Sequence, residues 1–239
     1  AFARCGAHGM SAITAITAQN TVAVTGVYPL PPEAIVEQVR AVAEDIGVDA
    51  VKIGMLGTRE AIAAVEQALD LIGEVPIVLD PVMVSESGAR LLDEDAEEAL
   101  RTRLLPRITV VTPNLPEARA LARADDEAAE PEQLARAIHA LGPANVVVTG
   151  GHREQAIDVF FDGERLEEIA GERYPEGAAH GSGCTHSSAL AAHLALGLDP
   201  LEAARRAKQI ASEAVRDGLR GIGKGAGPVD AIGLRTPES

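Results

Sequence analysis

The run Pro76-Ile77-Val78-Leu79-Asp80-Pro81-Val82 is apolar without a break until it reaches an aspartate. A strand with one wet face alternates apolar and polar residues, so an unbroken apolar run bounded by turn residues is read as a strand covered on both faces. Three other segments are built the same way: residues 50–53, which run into Lys52-Ile53-Gly54-Met55, ITVVTPN (108–114) and ANVVVTGG (144–151). Helical spacing fills the intervals. Ile35, Val39, Val42 and Ile46 predict a helix over 32–46 that stops at Gly47. Further helices are predicted over 58–71, with Thr58 at its start, over 93–104, after Pro116, and over 131–141. Apolar strands alternating with helices, without a repeat or a linker, indicate an α/β domain with a parallel sheet and helices on both faces, one domain over residues 1–239.

Outside this centre, SAITAITAQ (11–19) reads as a buried strand and TVAVTGVYPLPP (21–32) as a short flap or edge hairpin. AIDVFFDGERLEEIAG (156–171) reads as a hairpin turning at Asp162-Gly163. The string HGSGCTHSSALAAHLALG (180–197) opens a small-residue helix, and a second helix is predicted over 200–218.

Composition narrows the function. The 239 residues carry 21 basic and 36 acidic side chains, a net charge of −15, which argues against a nucleic-acid surface or a polybasic membrane patch. No apolar run approaches the roughly 20 residues that span a bilayer. Two cysteines make no disulfide framework and no Cys/His group has zinc spacing, which suits a reducing cytoplasm. The chain opens on Ala1 without a signal-peptide pattern, which reads as a truncated start.

In an open α/β sheet the chemistry gathers at the carboxyl edge, and four strands here end in turns that should share one rim: 52–55, 79–82, 112–115 and 148–151. The segment most suggestive of chemistry is His180-Gly181-Ser182-Gly183-Cys184-Thr185. Its glycines let successive N–H groups aim into one concavity, and the following helix adds its positive end, a cradle for a phosphoryl group in transfer. A thiol at a helix start is expected to have a lowered pKa, so Cys184 can serve as a base or nucleophile; a glycine-rich helix entry with an inert cysteine is the plainer alternative. Asp80 can hold Mg²⁺ or order a phosphate site, or simply cap a turn. Asn114 and Glu117 can place oxygens near a nucleotide-bound cation, although an N-cap with a first-turn acid is the default. Gln19 and Asn20 offer an amide to a heterocycle or to their own turn. Met55 and Val82, taken singly, read as core. His8, His180 and His186 are assigned surface or loop roles.

Six strings in order, GMSAITAITAQNT (9–21), DAVKIGMLG (49–57), VLDPVMVSESGARLL (78–92), TVVTPNLPEA (109–118), VVVTGGH (146–152) and HGSGCTHSSALAA (180–192), resemble the hydroxymethylpyrimidine/phosphomethylpyrimidine kinases of thiamine biosynthesis. GPVD (227–230) adds a weaker match. The resemblance implies a ribokinase-like three-layer α/β/α fold with a mostly parallel central sheet and a small β flap. It implies transfer of the ATP γ-phosphoryl group, with Mg²⁺, to the hydroxymethyl oxygen of 4-amino-5-hydroxymethyl-2-methylpyrimidine and then to its monophosphate, by a cytoplasmic homodimer. Cys184 becomes the catalytic base, and Gly181, Ser182 and Gly183 supply the amides of an anion hole. Gln19 takes the position that reads the aminopyrimidine, and Met55 and Val82 wall its pocket. Asp80, Asn114 and Glu117 fall near the Mg²⁺–phosphate region.

Two departures qualify the match. Thr149 stands where many relatives have a phosphate-contacting lysine, which predicts weaker ATP binding or turnover. The family's opening strand and glycine-rich segment have no counterpart, which predicts an empty position inside the sheet. A pyridoxal/pyridoxine kinase and a non-catalytic pyrimidine- or nucleotide-binding module are the alternative readings.

Overall fold

The computed structural model describes residues 1–84, 90–124, 126, 128–150, 156–175 and 177–232. Strands β1 (Ala15–Gln19) and β2 (Val24–Pro29) form an antiparallel ribbon of their own. The main sheet has six strands in chain order: β3 (Val51–Ile53), β4 (Ile77–Leu79), β5 (Val110–Val111), β6 (Asn145–Val148), β7 (Asp158–Phe161) and β8 (Leu166–Ile169). Strands β3 to β6 are parallel, and the β7–β8 hairpin continues the sheet antiparallel.

Among the described residues, seven α-helices flank it: α1 (Pro32–Asp45), α2 (Arg59–Leu69), α3 (Glu94–Ala99), α4 (Leu115–Ala122), α5 (Pro131–His139), α6 (Ser182–Ala195) and α7 (Pro200–Arg216). The predicted helix over 93–104 is regular only as far as Ala99, then widens to a π turn and tightens to a 3₁₀ turn at Pro106. Proline has no N–H to give the preceding turn, so a change of helix type is a normal response there.

Strand period sorts the core into two layers. Ile77, Leu79, Val111, Val146, Val148, Val159 and Phe161 pack with α1 to α5, whereas the residues between them, Val78, Val110, Val147 and Phe160, pack with α6 and α7. Both faces are covered, which is why these strands lack alternation. Val78, Val110 and Val147 are fully buried on the α6–α7 side. The fold is the three-layer α/β/α arrangement expected from the resemblance.

One expectation is corrected. The 11–19 segment is not buried in the sheet: it begins the separate ribbon, with Ile13 49% and Ile16 57% exposed. Its small and β-branched residues favour strand without dictating which sheet, and pairing with β2 decided the matter. Among the described residues, β3 to β8 are successive neighbours with β3 at the edge, and the β1–β2 ribbon pairs with none of them.

Candidate active site

The same alternation builds the site. Ile53 and Leu79 are paired in register and face α1–α5, so Lys52, one residue earlier, and Asp80, one residue later, both turn toward α6. Lys52 Nζ lies 3.5 Å from Asp80 Oδ2, and both side chains are largely buried. Ser187 of α6, with no exposed surface, donates its hydroxyl to the same oxygen at 3.0 Å. The first turn of α6 is thereby fixed over the carboxyl ends of β3 and β4.

Gly181 caps α6 with φ 90° and ψ 6°, a left-handed conformation that costs glycine little and other residues more. The first N–H groups of any helix lack intrahelical acceptors. Among the described residues, the N–H groups of Gly181, Gly183 and Cys184 have no backbone acceptor, while Thr185 N–H donates to Gly181 O at 2.9 Å. Ser182 differs from expectation: its N–H donates to Ala179 O at 3.0 Å, so it is committed to the turn and is not free for an anion. A Cβ on Gly183 would meet nothing within 4 Å, so that position faces open space. The entry to α6 is held from behind by the tail, where His180 N–H donates to Gly227 O and Val229 N–H to His180 O.

Cys184 is exposed as a residue. Its pKa is nevertheless raised, first by the desolvating protein around it and then by the Asp80 and Glu117 carboxylates, with Lys52 pulling the other way. This corrects the expected lowering: in this environment the helix start does not outweigh desolvation and two nearby acids.

Asn114 and Glu117 form a reciprocal cap at the start of α4. Asn114 Oδ1 accepts from Glu117 N–H and Glu117 Oε2 accepts from Asn114 N–H, each at 2.9 Å. Glu117 also accepts from Met83 N–H at 3.4 Å. Burial, with a further push from Asp80, raises the Glu117 pKa to about 7 against the hydrogen bonds that favour its charged form. The default reading thus holds for Asn114, while Glu117 is both a cap and a member of the acidic pair.

Thr149 follows β6 and bridges to Asn114, its N–H donating to Pro113 O at 2.8 Å and its hydroxyl lying 3.4 Å from the same oxygen. Gly151 and His152 of that turn, and residues 85–89 of the third matching string, lie outside the described residues. Met55 and Val82 are half-buried in the turns after β3 and β4 and join neither core layer. Gln19 is exposed at the end of β1, within 3.4 Å of the Thr17 hydroxyl. The flap turn is tethered at Thr21, whose hydroxyl accepts from Lys224 and Gly225 N–H at 3.2 Å. Among the described residues, no hydrogen bond or ion pair joins Gln19 to Cys184, Asp80 or Lys52.

The sequence reading gave Lys52 and Ser187 no role of their own; the signal for Lys52 was its place next to Ile53, opposite the strand that ends in Asp80. His186, expected in a surface or loop role, is instead 4% exposed inside α6, where small neighbours let the sheet and α7 close over it. Two hollows lie away from this cluster, one of about 500 Å³ at Gly73–Ile77, Arg107 and Thr109, the other of about 270 Å³ beside α7 and the end of β8.

The chain matches the phosphomethylpyrimidine kinase family over residues 1–230. A Rhizobium meliloti hydroxymethylpyrimidine/phosphomethylpyrimidine kinase is 46% identical over 95% of this chain and 87% of its own length. A Geobacter sulfurreducens thiamine biosynthesis bifunctional protein is 42% identical over 95% of this chain, which spans 47% of that longer protein. Among solved structures, a Bacillus subtilis pyridoxal kinase in an ADP complex superposes with a TM-score of 0.87 at 34% identity, covering 98% of this chain and 91% of its own. A family match over residues 1–230 and a relative 46% identical over 95% of the chain, with the fold in agreement, lead to one conclusion: this chain belongs to the phosphomethylpyrimidine kinase family.

Proposed function

We propose that this chain, as a single ribokinase-like kinase domain, transfers the γ-phosphoryl group of ATP to 4-amino-5-hydroxymethyl-2-methylpyrimidine and then to its monophosphate. The observation that carries the reading is the first turn of α6, where the N–H groups of Gly183 and Cys184 stand open beside the Cys184 thiol and a buried Lys52–Asp80 pair. Phosphoryl transfer asks mainly for positioning and for donors aimed at the charge in flight.

The hydroxymethyl oxygen attacks the γ-phosphorus, the bond to the β–γ bridging oxygen breaks, and ADP departs with that electron pair. Cys184 as thiolate accepts the hydroxymethyl proton. Its raised pKa makes the thiolate scarce near neutrality but a strong base when formed. Lys52 favours that thiolate, and the amides of Gly181, Gly183 and Cys184 receive the equatorial oxygens. Gln19 addresses the aminopyrimidine, with Met55 and Val82 as apolar walls. Asn114 holds the turn next to Thr149, whose hydroxyl stands in for a lysine on the nucleotide side.

For Mg²⁺, no group of three or more acidic, His or Cys ligands exists among the described residues. Two neighbouring buried carboxylates, one pushed to about 7, still form a place where a cation relieves repulsion. That donor set fits Mg²⁺, which commonly takes one or two carboxylates and completes its shell with phosphates and water. Asp80 and Glu117 would hold it, and it would supply charge neutralisation at the phosphates.

The same reading, following the family resemblance, makes the protein a homodimer in a reducing cytoplasm. Both cysteines are free, which suits a reducing compartment; no helix among the described residues is long and apolar enough to cross a membrane. The test is ADP release from ATP, Mg²⁺ and the pyrimidine, with pyridoxal as competitor, since kinases of that vitamin share this fold. Release driven by pyridoxal alone would replace the proposed substrate. Nucleotide or pyrimidine binding without release would favour a binding module, and a Cys184→Ala variant at parent rate would remove the base.

A further inference from the structure

Asp158, the first residue of β7, is 1% exposed and gathers two donors on one oxygen. Its Oδ1 accepts from Gly150 N–H at 2.8 Å and from Lys208 Nζ of α7 at 2.6 Å. Lys208 is buried as well, and its stem crosses so near Gly171 that a Cβ there would come 2.4 Å from Lys208 Cε. His186 of α6 closes the group, its Nε2 3.5 Å from Asp158 Oδ2. Burial keeps that imidazole below its ordinary pKa, against the pull of Asp158, so a neutral ring lies beside the ion pair.

None of these side chains has a part in the transfer described above. What Asp158 touches is the turn after β6. That turn is clamped from both sides: Thr149 N–H donates to Pro113 O at 2.8 Å, and a Cβ on Gly150 would fall 1.8 Å from Ile157 O. Only glycine fits, and its amide can point one way while Asp158 accepts from it. A buried carboxylate keeps such a geometry only while its charge is balanced, and Lys208 balances it.

We infer that the Asp158–Lys208 pair is a positioning device for the Thr149–Gly150 turn, fixing the peptide plane presented to the nucleotide phosphates and tying it to α7. The inference rests on the reading that this turn serves the nucleotide.

Two chains without the buried charges separate positioning from stability: Asp158→Asn with Lys208→Met, which keeps an oxygen for Gly150 N–H, and Asp158→Ala with Lys208→Met, which does not. Calorimetry with Mg²⁺-ADP on the folded variants should find the first binding about tenfold more tightly, the worth of one well-placed hydrogen bond. The KM for ATP should follow the same order, while the KM for the pyrimidine stays within about twofold, as expected for a group that acts through one substrate's contacts. Equal ADP affinity in the two chains, or equal movement of both KM values, overturns the inference. A parent that binds Mg²⁺-ADP but releases none from ATP and pyrimidine refutes the kinase reading and leaves this comparison readable. A fully active parent with indistinguishable double variants refutes the inference alone.

Discussion

Lys52 Nζ stands 3.5 Å from Asp80 Oδ2 on adjacent parallel strands, and both act on the Cys184 thiol with opposite sign. The lysine stabilises the thiolate and the aspartate opposes it, so the pair sets how much base is available at a given pH. Because the base must be deprotonated, turnover should rise with pH and level off only above the ordinary cysteine value of 9.0. Lys52→Met removes the lowering influence. Its rising limb should move further alkaline, with kcat near neutral pH down about tenfold for each pKa unit moved. A pH–rate profile that superposes on the parent's would detach Lys52 from the thiol.

Gly183 separates fold from function. Its Cβ position is open, so Gly183→Ala creates no clash inside the protein and adds helix propensity worth about 0.5–1 kcal/mol. The melting temperature should hold or rise. The added methyl enters the space beside the open amides, so kcat/KM should fall about tenfold or more if a phosphoryl group passes there. A stable variant with parent kinetics would show that this space is unused.

Glu117 predicts a pH dependence of stability. Its folded pKa, about 7, is raised above the ordinary 4.5, so the folded chain holds the extra proton. The associated stability is fully present below pH 4.5 and is lost as pH rises through about 7, an upper bound of about 3 kcal/mol. Glu117→Gln cannot ionise, so its urea midpoint should decline less between pH 5 and 8 than the parent's. Parallel declines would show that this carboxyl is already ionised in the folded chain.

How much of this was legible follows from range. Strand β4 and its terminal Asp80 were readable because burial on both faces writes an uninterrupted apolar run. The cap at Asn114 and Glu117 was readable because its two partners are three residues apart. Lys52 and Ser187 were not, because their roles come from Asp80, which is 107 residues before Ser187 and on a different element. His186 was misplaced for the same reason: Gly, Ser and Ala around it give no amphipathic stripe, so nothing local marks an inward face. Ser182 shows the limit of a motif. Its residue type matched, but the acceptor at Ala179 that occupies its amide depends on how the loop turns.

Ser187 tests whether the cradle is mechanically tied to the acidic pair. Its one hydroxyl proton has two acceptors within reach, Asp80 Oδ2 at 3.0 Å and Gly183 O at 2.9 Å, so the side chain sits between the carboxylate and the turn that holds the open amides. Ser187→Ala leaves Asp80 with one donor fewer in a buried place, which should cost about 1–3 kcal/mol in urea unfolding. Much of that cost should vanish when Asp80→Asn is already present, since the charge that needed the donor is gone. A double-mutant cycle should then return a coupling energy of about 1–2 kcal/mol between the two positions. The kinetic cycle adds the functional half: if α6 is registered over β4 through this bond, Ser187→Ala lowers kcat in the Asp80 parent and has little further effect in the Asp80→Asn background. Additive effects in both cycles would mean that the helix carrying Cys184 is placed by its apolar packing on Val78 and Val110 alone.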